Sequence, residues 1–198
     1  MKIAYLILAH NNIKHLNRLI SKLDNGRNLF FIHLDKKNEK DINKIVKGKN
    51  IKIISQYDVK WGGFSIVQAT IALISEASKS ERCDFYSLLS GVDYPIISNS
   101  KIEEFLLSNI GANFINVVKM PVESKPISRV SKFYLEGAHR TSGLKTKILK
   151  ISNCILKKIP YSRRLPIKYK EYQLYAGSQW WTFEQESDFV PLKDPRGF

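Results

Sequence analysis

Five short apolar runs, spaced by stretches of helical periodicity, constrain this chain more than any other feature. Residues 2–9 (KIAYLILA), 29–34 (LFFIHL), 51–54 (IKII), 85–89 (FYSLL) and 113–118 (NFINVV) are nearly continuous in apolar side chains, where a half-exposed strand would alternate. Such strands need cover on both faces, which a parallel sheet flanked by helices provides. The intervening segments supply those helices. Ile13, Leu16, Leu19, Ile20 and Leu23 fall on one helical face behind a capping Asn11 or Asn12. A second helix is expected over 65–78 (SIVQATIALISEAS), and a third in IEEFLLS, opened by a capping box of Ser100 with Glu103. A shorter helix is expected around 39–47. Strands and helices in this alternation predict a doubly wound, mostly parallel sheet with right-handed crossovers.

In such a sheet, ligands bind outside the carboxyl ends of the strands. His10, Asp35, Gly62-Gly63 and the stretch Ser90 to Asp93 all fall at strand ends or in the loops behind them. The stretch LLSGVDYPI, 88–96, ends an apolar strand in a small-residue turn that presents one carboxylate and leaves through Pro95. A plain hairpin would place Asn-Gly or Asp-Gly there and resume alternation. This convergence is what a nucleotide site requires. Neither a GxGxxG fingerprint nor a phosphate-binding P-loop occurs, so the common dinucleotide and P-loop readings are unsupported.

At 198 residues the chain suits one well-buried domain. Cys83 and Cys154 lack metal-ligand spacing and are too few for a disulfide scaffold, which favours a reducing compartment. The start, MKIAYLILAHNN, reads as the first strand and not as a signal peptide, and no run approaches the 18 apolar residues of a membrane span. A cytoplasmic location is expected. The net charge of +14 favours an anionic partner, and ten Lys or Arg with no acid lie between Gly137 and Lys170. Within that stretch Leu144, Ile148, Ile151, Ile155 and Ile159 form one helical stripe, with Lys145, Lys147, Lys150, Lys157 and Lys158 mostly off it. Two readings stand: a core-packed surface helix with solvated lysines, or a helix resting peripherally on an anionic membrane.

Five motifs follow one another in order: AYLILAH at 4–10, FIHLDKK at 31–37, VKWGGFSIVQA at 59–69, LLSGVDYPI at 88–96 and GSQWWTF at 177–183. In these residues the chain resembles the core-2/I-branching β-1,6-N-acetylglucosaminyltransferase family, which includes the peptide O-xylosyltransferases. The resemblance implies a GT-A-like, Rossmann-like fold and an inverting glycosyltransferase. It implies a UDP-sugar donor, a GlcNAc or xylose-like sugar, a glycan or lipid-linked acceptor, and no divalent metal or other cofactor. It also implies donor-binding roles for His10, Asp35 (on the uridine), Trp61, Gly62, Gly63, Ser90, Gly91 and Asp93. Acceptor contacts would come from Glu123, Lys125, Arg129, Gln179, Trp180 and Trp181.

Inverting transfer needs a carboxylate base on the acceptor hydroxyl and a neutralised diphosphate leaving group. Most GT-A enzymes neutralise the diphosphate with a metal on an Asp-x-Asp triplet, and none occurs here; Asp93 is followed by Tyr94-Pro95. Ser90-Gly91 would allow close backbone approach of the donor, and Asp93 would hydrogen-bond sugar hydroxyls. Each residue also has a plainer role: Asp93 as a turn cap, Asp35 as a helix cap, Trp61 as a packing aromatic, one of Trp180 and Trp181 as core. In the family, the base within an Asp-Glu pair and the diphosphate-gripping cations lie downstream of Ser-Gln-Trp-Trp. Seventeen residues follow Trp181, with no such pair, and neither Glu184 nor Glu186 is assigned. The expectation is one domain over 1–198, C-terminally incomplete, with its base beyond residue 198 and Asp93 as a possible substitute. Two other classes compete. One is a non-catalytic remnant of the nucleotide-sugar fold. The other is a basic nucleic-acid-binding protein, disfavoured because the basic stretch has sparse aromatics and no nucleic-acid-binding motif.

Overall fold

Strand β1, Ile3–Ala9, is buried at all seven positions because it is flanked on both edges and covered on both faces. In the computed structural model, which describes residues 1–60, 62–136, 143–159 and 172–185, β1 pairs in parallel with β2 (Leu29–Leu34) and β4 (Phe85–Ser90). β2 in turn pairs in parallel with β3 (Ile51–Ile54). The sheet has six strands in the order β3-β2-β1-β4-β6-β5, where β5 is Phe114–Lys119 and β6 is Tyr175–Glu184. β6 runs antiparallel to β4, setting Leu88 opposite Trp181. The chain divides into two compact units: Met1–Val59, Val67–Ile115 and Gln179–Phe198 form the first, Lys60–Ile66 and Asn116–Ser178 the second.

In the first unit, helix α1 (Ile13–Leu23) begins where Asn12, at φ 54, accepts the His15 amide on its side chain at 3.3 Å. It buries Leu16, Leu19, Ile20 and Leu23 in one cluster with Ile3, Tyr5, Ile7, Phe30, Ile32 and Leu34. Alternation along the strands puts those six on a single face. Tyr5 and Phe30 are register partners whose rings stack at 5.6 Å. Leu106 of helix α3 (Asn99–Leu107) completes this layer. Helix α2 (Ser65–Ser78) belongs to the opposite face: Lys52, which alternates with the core residues Ile51 and Ile53, pairs with its Glu76. Both faces of β1, β2 and β4 are therefore covered, as continuous apolar strands demand. By contrast β5 is exposed at Ile115, Val117 and Val118, a departure from the burial expected of its apolar run. Buried Asn28 stitches the base of the sheet, accepting the Ile3 amide at 3.1 Å and donating to the Leu23 carbonyl at 2.9 Å.

Three local expectations are corrected. The segment expected as a helix at 39–47 is a 3-10 helix over Lys36–Lys44. Its sequence, KKNEKDINK, buries no residue, so nothing favours the wider α-helical turn. The cap of α3 is Ser98, whose hydroxyl accepts the Lys101 amide, while the expected capping partner Glu103 turns to Asn25 and Arg27. The last expected strand, 113–118, occupies 114–119.

In the second unit, helix α4 (Ser128–Ser131) and helix α5 (Leu144–Lys158) follow the cis Met120-Pro121 bond. Buried Asn153 of α5 accepts the Leu135 amide at 2.7 Å and donates to the Leu135 carbonyl at 2.9 Å, as a neighbouring strand would.

Candidate functional site

The two strands that flank β1 fix the first unit's candidate site. Topology runs from β1 outward through β2 and β3 on one side and to β4 on the other, so the crevice between β1 and β4 is a topological switch point. At the carboxyl end of β1 the Asp35 amide donates to the Ala9 carbonyl and the Gly91 amide to the Leu8 carbonyl, both at 2.8 Å. His10, Asp35 and Gly91 are thereby brought to one edge. The His10 side chain is exposed, and its carbonyl accepts from Asn38.

Gly91 is buried, and its bare side is already filled. A Cβ there would stand 2.9 Å from the Ala9 Cβ and 3.1 Å from its Cα. One close approach that requires glycine here is strand against strand, at Ala9. Beside it, Asp93 closes the turn: its Oδ2 accepts the Ser90 amide at 2.8 Å, and its amide donates to the Ser90 carbonyl at 3.0 Å. Ser90 Oγ accepts the Val92 amide at 3.3 Å. Asp93 Oδ1 carries no hydrogen bond among the described residues. The turn is held from α1, where His15 Nε2 lies 3.1 Å from the Asp93 carbonyl and Arg18 sits 5.6 Å from the Tyr94 ring centroid.

Asp35 is 5% exposed and caps the 3-10 helix. Its Oδ1 takes the Lys37 amide at 3.1 Å and the Val59 amide at 3.4 Å. The Lys37 ammonium bridges Asp58 at 2.6 Å, the Val59 carbonyl at 3.1 Å and Asp35 Oδ2 at 3.9 Å. The Asp58 contact is the main cause that raises the Lys37 pKa, so the ammonium stays charged. The plainer role foreseen for Asp35 is thus present: one oxygen anchors the segment leaving β3, and among the described residues Oδ2 faces only a distant cation.

That segment also rests on a residue sequence reasoning missed. His33, 1% exposed in β2, accepts the Tyr57 amide on Nε2 at 3.2 Å and stacks on the Tyr57 ring at 6.0 Å. Burial lowers its pKa, with Asp35 opposing. No sequence signal marks it, because His33 sits inside an apolar strand.

Gly62 and Gly63 belong to the second unit. Gly62 has φ +70 with open space around it, the left-handed conformation glycine favours. A Cβ on Gly63 would meet Glu136 Oε2 at 2.6 Å. Glu136 also accepts the Phe64 amide at 2.7 Å, placing a carboxylate at the opening of α2. Glu136 was not among the expected residues. Trp61 lies outside the described residues. Of the expected acceptor contacts, Glu123 and Lys125 sit on a tight turn closed by paired Val122 and Lys125 backbones, and Arg129 lies in α4. Gln179, Trp180 and Trp181 lie on β6 in the first unit; Trp181 stacks on Phe183 at 4.6 Å, while Trp180 on the alternate face is 38% exposed.

A family model for Core-2/I-branching enzymes matches residues 3–193. A Bos taurus β-1,3-galactosyl-O-glycosyl-glycoprotein β-1,6-N-acetylglucosaminyltransferase is 31% identical over 130 residues, covering 62% of this chain and 30% of that protein. A Ciona intestinalis xylosyltransferase is 27% identical over 122 residues, covering 58% of this chain and 14% of that protein. The chain thus spans less than a third of either relative's length. Among solved structures, S. aureus TarS 1-349 superposes with a TM-score of 0.37 at 17% identity, over 68% of this chain and 42% of that one.

Proposed function

This chain belongs to the Core-2/I-branching enzyme family, and from that premise we propose that it carries the donor-binding core of an inverting glycosyltransferase using a UDP-sugar. The sugar is GlcNAc or a xylose-like pentose, the acceptor a hydroxyl of a glycan or lipid-linked glycan, and the reaction proceeds without a divalent metal. One observation carries the reading: His10, Asp35 and the Ser90–Asp93 turn gather at the switch point between β1 and β4, where such sheets bind nucleotides.

In the transfer, the acceptor oxygen forms a bond to the anomeric carbon as the bond from that carbon to the diphosphate oxygen breaks. The bonding pair leaves on UDP, and the acceptor proton goes to a carboxylate. Asp35 presents Oδ2 to the nucleoside, with Lys37 behind it. Asp93, whose Oδ2 is held by the Ser90 amide, turns Oδ1 toward sugar hydroxyls. Support for the metal-free mode is the lack of an Asp-x-Asp triplet.

Calorimetry with UDP and UDP-sugars in chelator tests the reading. Saturable binding without metal is expected, with Asp35→Asn weakening UDP and UDP-sugar alike and Asp93→Asn weakening only the UDP-sugar. Binding that appears only with manganese overturns the metal-free mode. Absence of binding under both conditions overturns the donor site.

A further inference from the structure

Helix α5 presents two unlike faces. Thr146 and Asn153 are buried, and Leu149 and Leu156 are half-buried beside them. Turned outward are Leu144 (76% exposed), Ile148 (56%), Ile151 (62%) and Ile155 (58%). Steps of four, three and four residues align these four on a single stripe. At 3.6 residues per turn, the exposed Lys147, Lys150, Lys157 and Lys158 all fall along one flank of that stripe. The helix contains no acid, and none occurs from Gly137 to Lys170. Among the described residues nothing covers the stripe, and the helix is held by its opposite face, through Asn153 on Leu135 and the half-buried Leu149 and Leu156.

We propose that α5 is a docking surface for an anionic lipid bilayer. It lies in the plane of the interface, with Leu144, Ile148, Ile151 and Ile155 at the acyl boundary and the lysine flank among acidic headgroups. Charge complementarity selects this occupant. A second copy packed antiparallel on this face across a two-fold axis would set lysines against lysines. The surface is independent of the sugar-transfer reading, since it shares no residue with the strand-end site.

The test is sedimentation of the full chain with vesicles of phosphatidylcholine alone or with 30% phosphatidylserine (on the order of a cytoplasmic leaflet), at low and high salt. Binding to the acidic vesicles, weakened by salt, is expected. Replacing Lys147, Lys150 and Lys157 by Gln weakens partitioning on the order of 100-fold, at about fivefold per charge. Replacing Ile148 and Ile151 by Ser weakens it by at least about tenfold. UDP titration of the same variants checks that they fold, and is expected to be unchanged. Equal binding to both vesicle types overturns the proposal, as does binding to neither. So does a dimer that Ile148→Ser dissolves without any vesicle binding, which would assign the face to a second copy.

Discussion

The backbone amide of Tyr57 donates to Nε2 of His33 at 3.2 Å, so the proton of this buried imidazole resides on Nδ1. Nδ1 has no hydrogen-bond partner among the described residues. The neutral ring is the form the fold selects, since a protonated Nε2 cannot accept from Tyr57. Burial lowers its pKa below the ordinary 6.5, and Asp35, the charged group acting on it among the described residues, opposes.

Acid sensitivity follows. Between the lowered folded value and 6.5 the unfolded chain binds the extra proton, so stability is full above pH 6.5 and falls as pH drops below it. Thermal melts between pH 7.5 and 5 are expected to show this slope for the native chain and a flatter one for His33→Asn. An unchanged slope in the variant would assign the acid sensitivity to other groups.

Gly91→Ala is expected to cost about 1–3 kcal/mol, because the added Cβ meets Ala9 in the adjacent central strand, where neither backbone can yield. At this chain length that is roughly 2–4 °C in Tm per kcal/mol. Ala9→Gly in the same chain should recover part of the loss, a coupling that a double-mutant cycle measures. If Gly91→Ala melts like the native chain yet loses UDP, the glycine serves the ligand instead.

Of the two carboxylate oxygens of Asp93, Oδ2 anchors the turn. Asp93→Ala removes the acceptor for the Ser90 amide and should destabilise by about 1 kcal/mol, as loss of a cap does. Asp93→Asn retains an acceptor there and should melt within about 0.5 kcal/mol of the native chain. Chemical denaturation of both variants checks the difference.

Asn153→Ala leaves the amide and carbonyl of Leu135 without their partners beneath α5. A loss of about 1–3 kcal/mol is expected for this part of the chain, seen as faster hydrogen exchange at Leu135 and its neighbours. Exchange at Leu135 that stays slow would mean α5 is held by other contacts.

What could be read from sequence divides along a physical line. β1, β2, β3 and α2 were legible to within a residue because apolar continuity or periodicity reports burial directly. α5 was legible from its helical period, although its apolar stripe is exposed. Ser98 took the cap of α3 although Ser100 and Glu103 fit a capping box, because Glu103 pairs with Arg27, distant in sequence. The strand ends bearing His10, Asp35 and Asp93 were legible as candidates from topology alone. The roles of His33 and Glu136 were not, since each is defined by a backbone amide, of Tyr57 or Phe64, that only the folded chain brings near.

The hydroxyls of Ser87 and Thr182 meet at 2.8 Å across β4 and β6, though they are 95 positions apart. During synthesis β4 can align on β1 early, but its other edge stays open until the ribosome has released residue 184. A nascent chain stalled before β6 therefore displays an unpaired rim of backbone donors and acceptors, a template for wrong pairing. Chaperone occupancy measured on arrested chains should be high up to that length and fall once Tyr175–Glu184 has emerged.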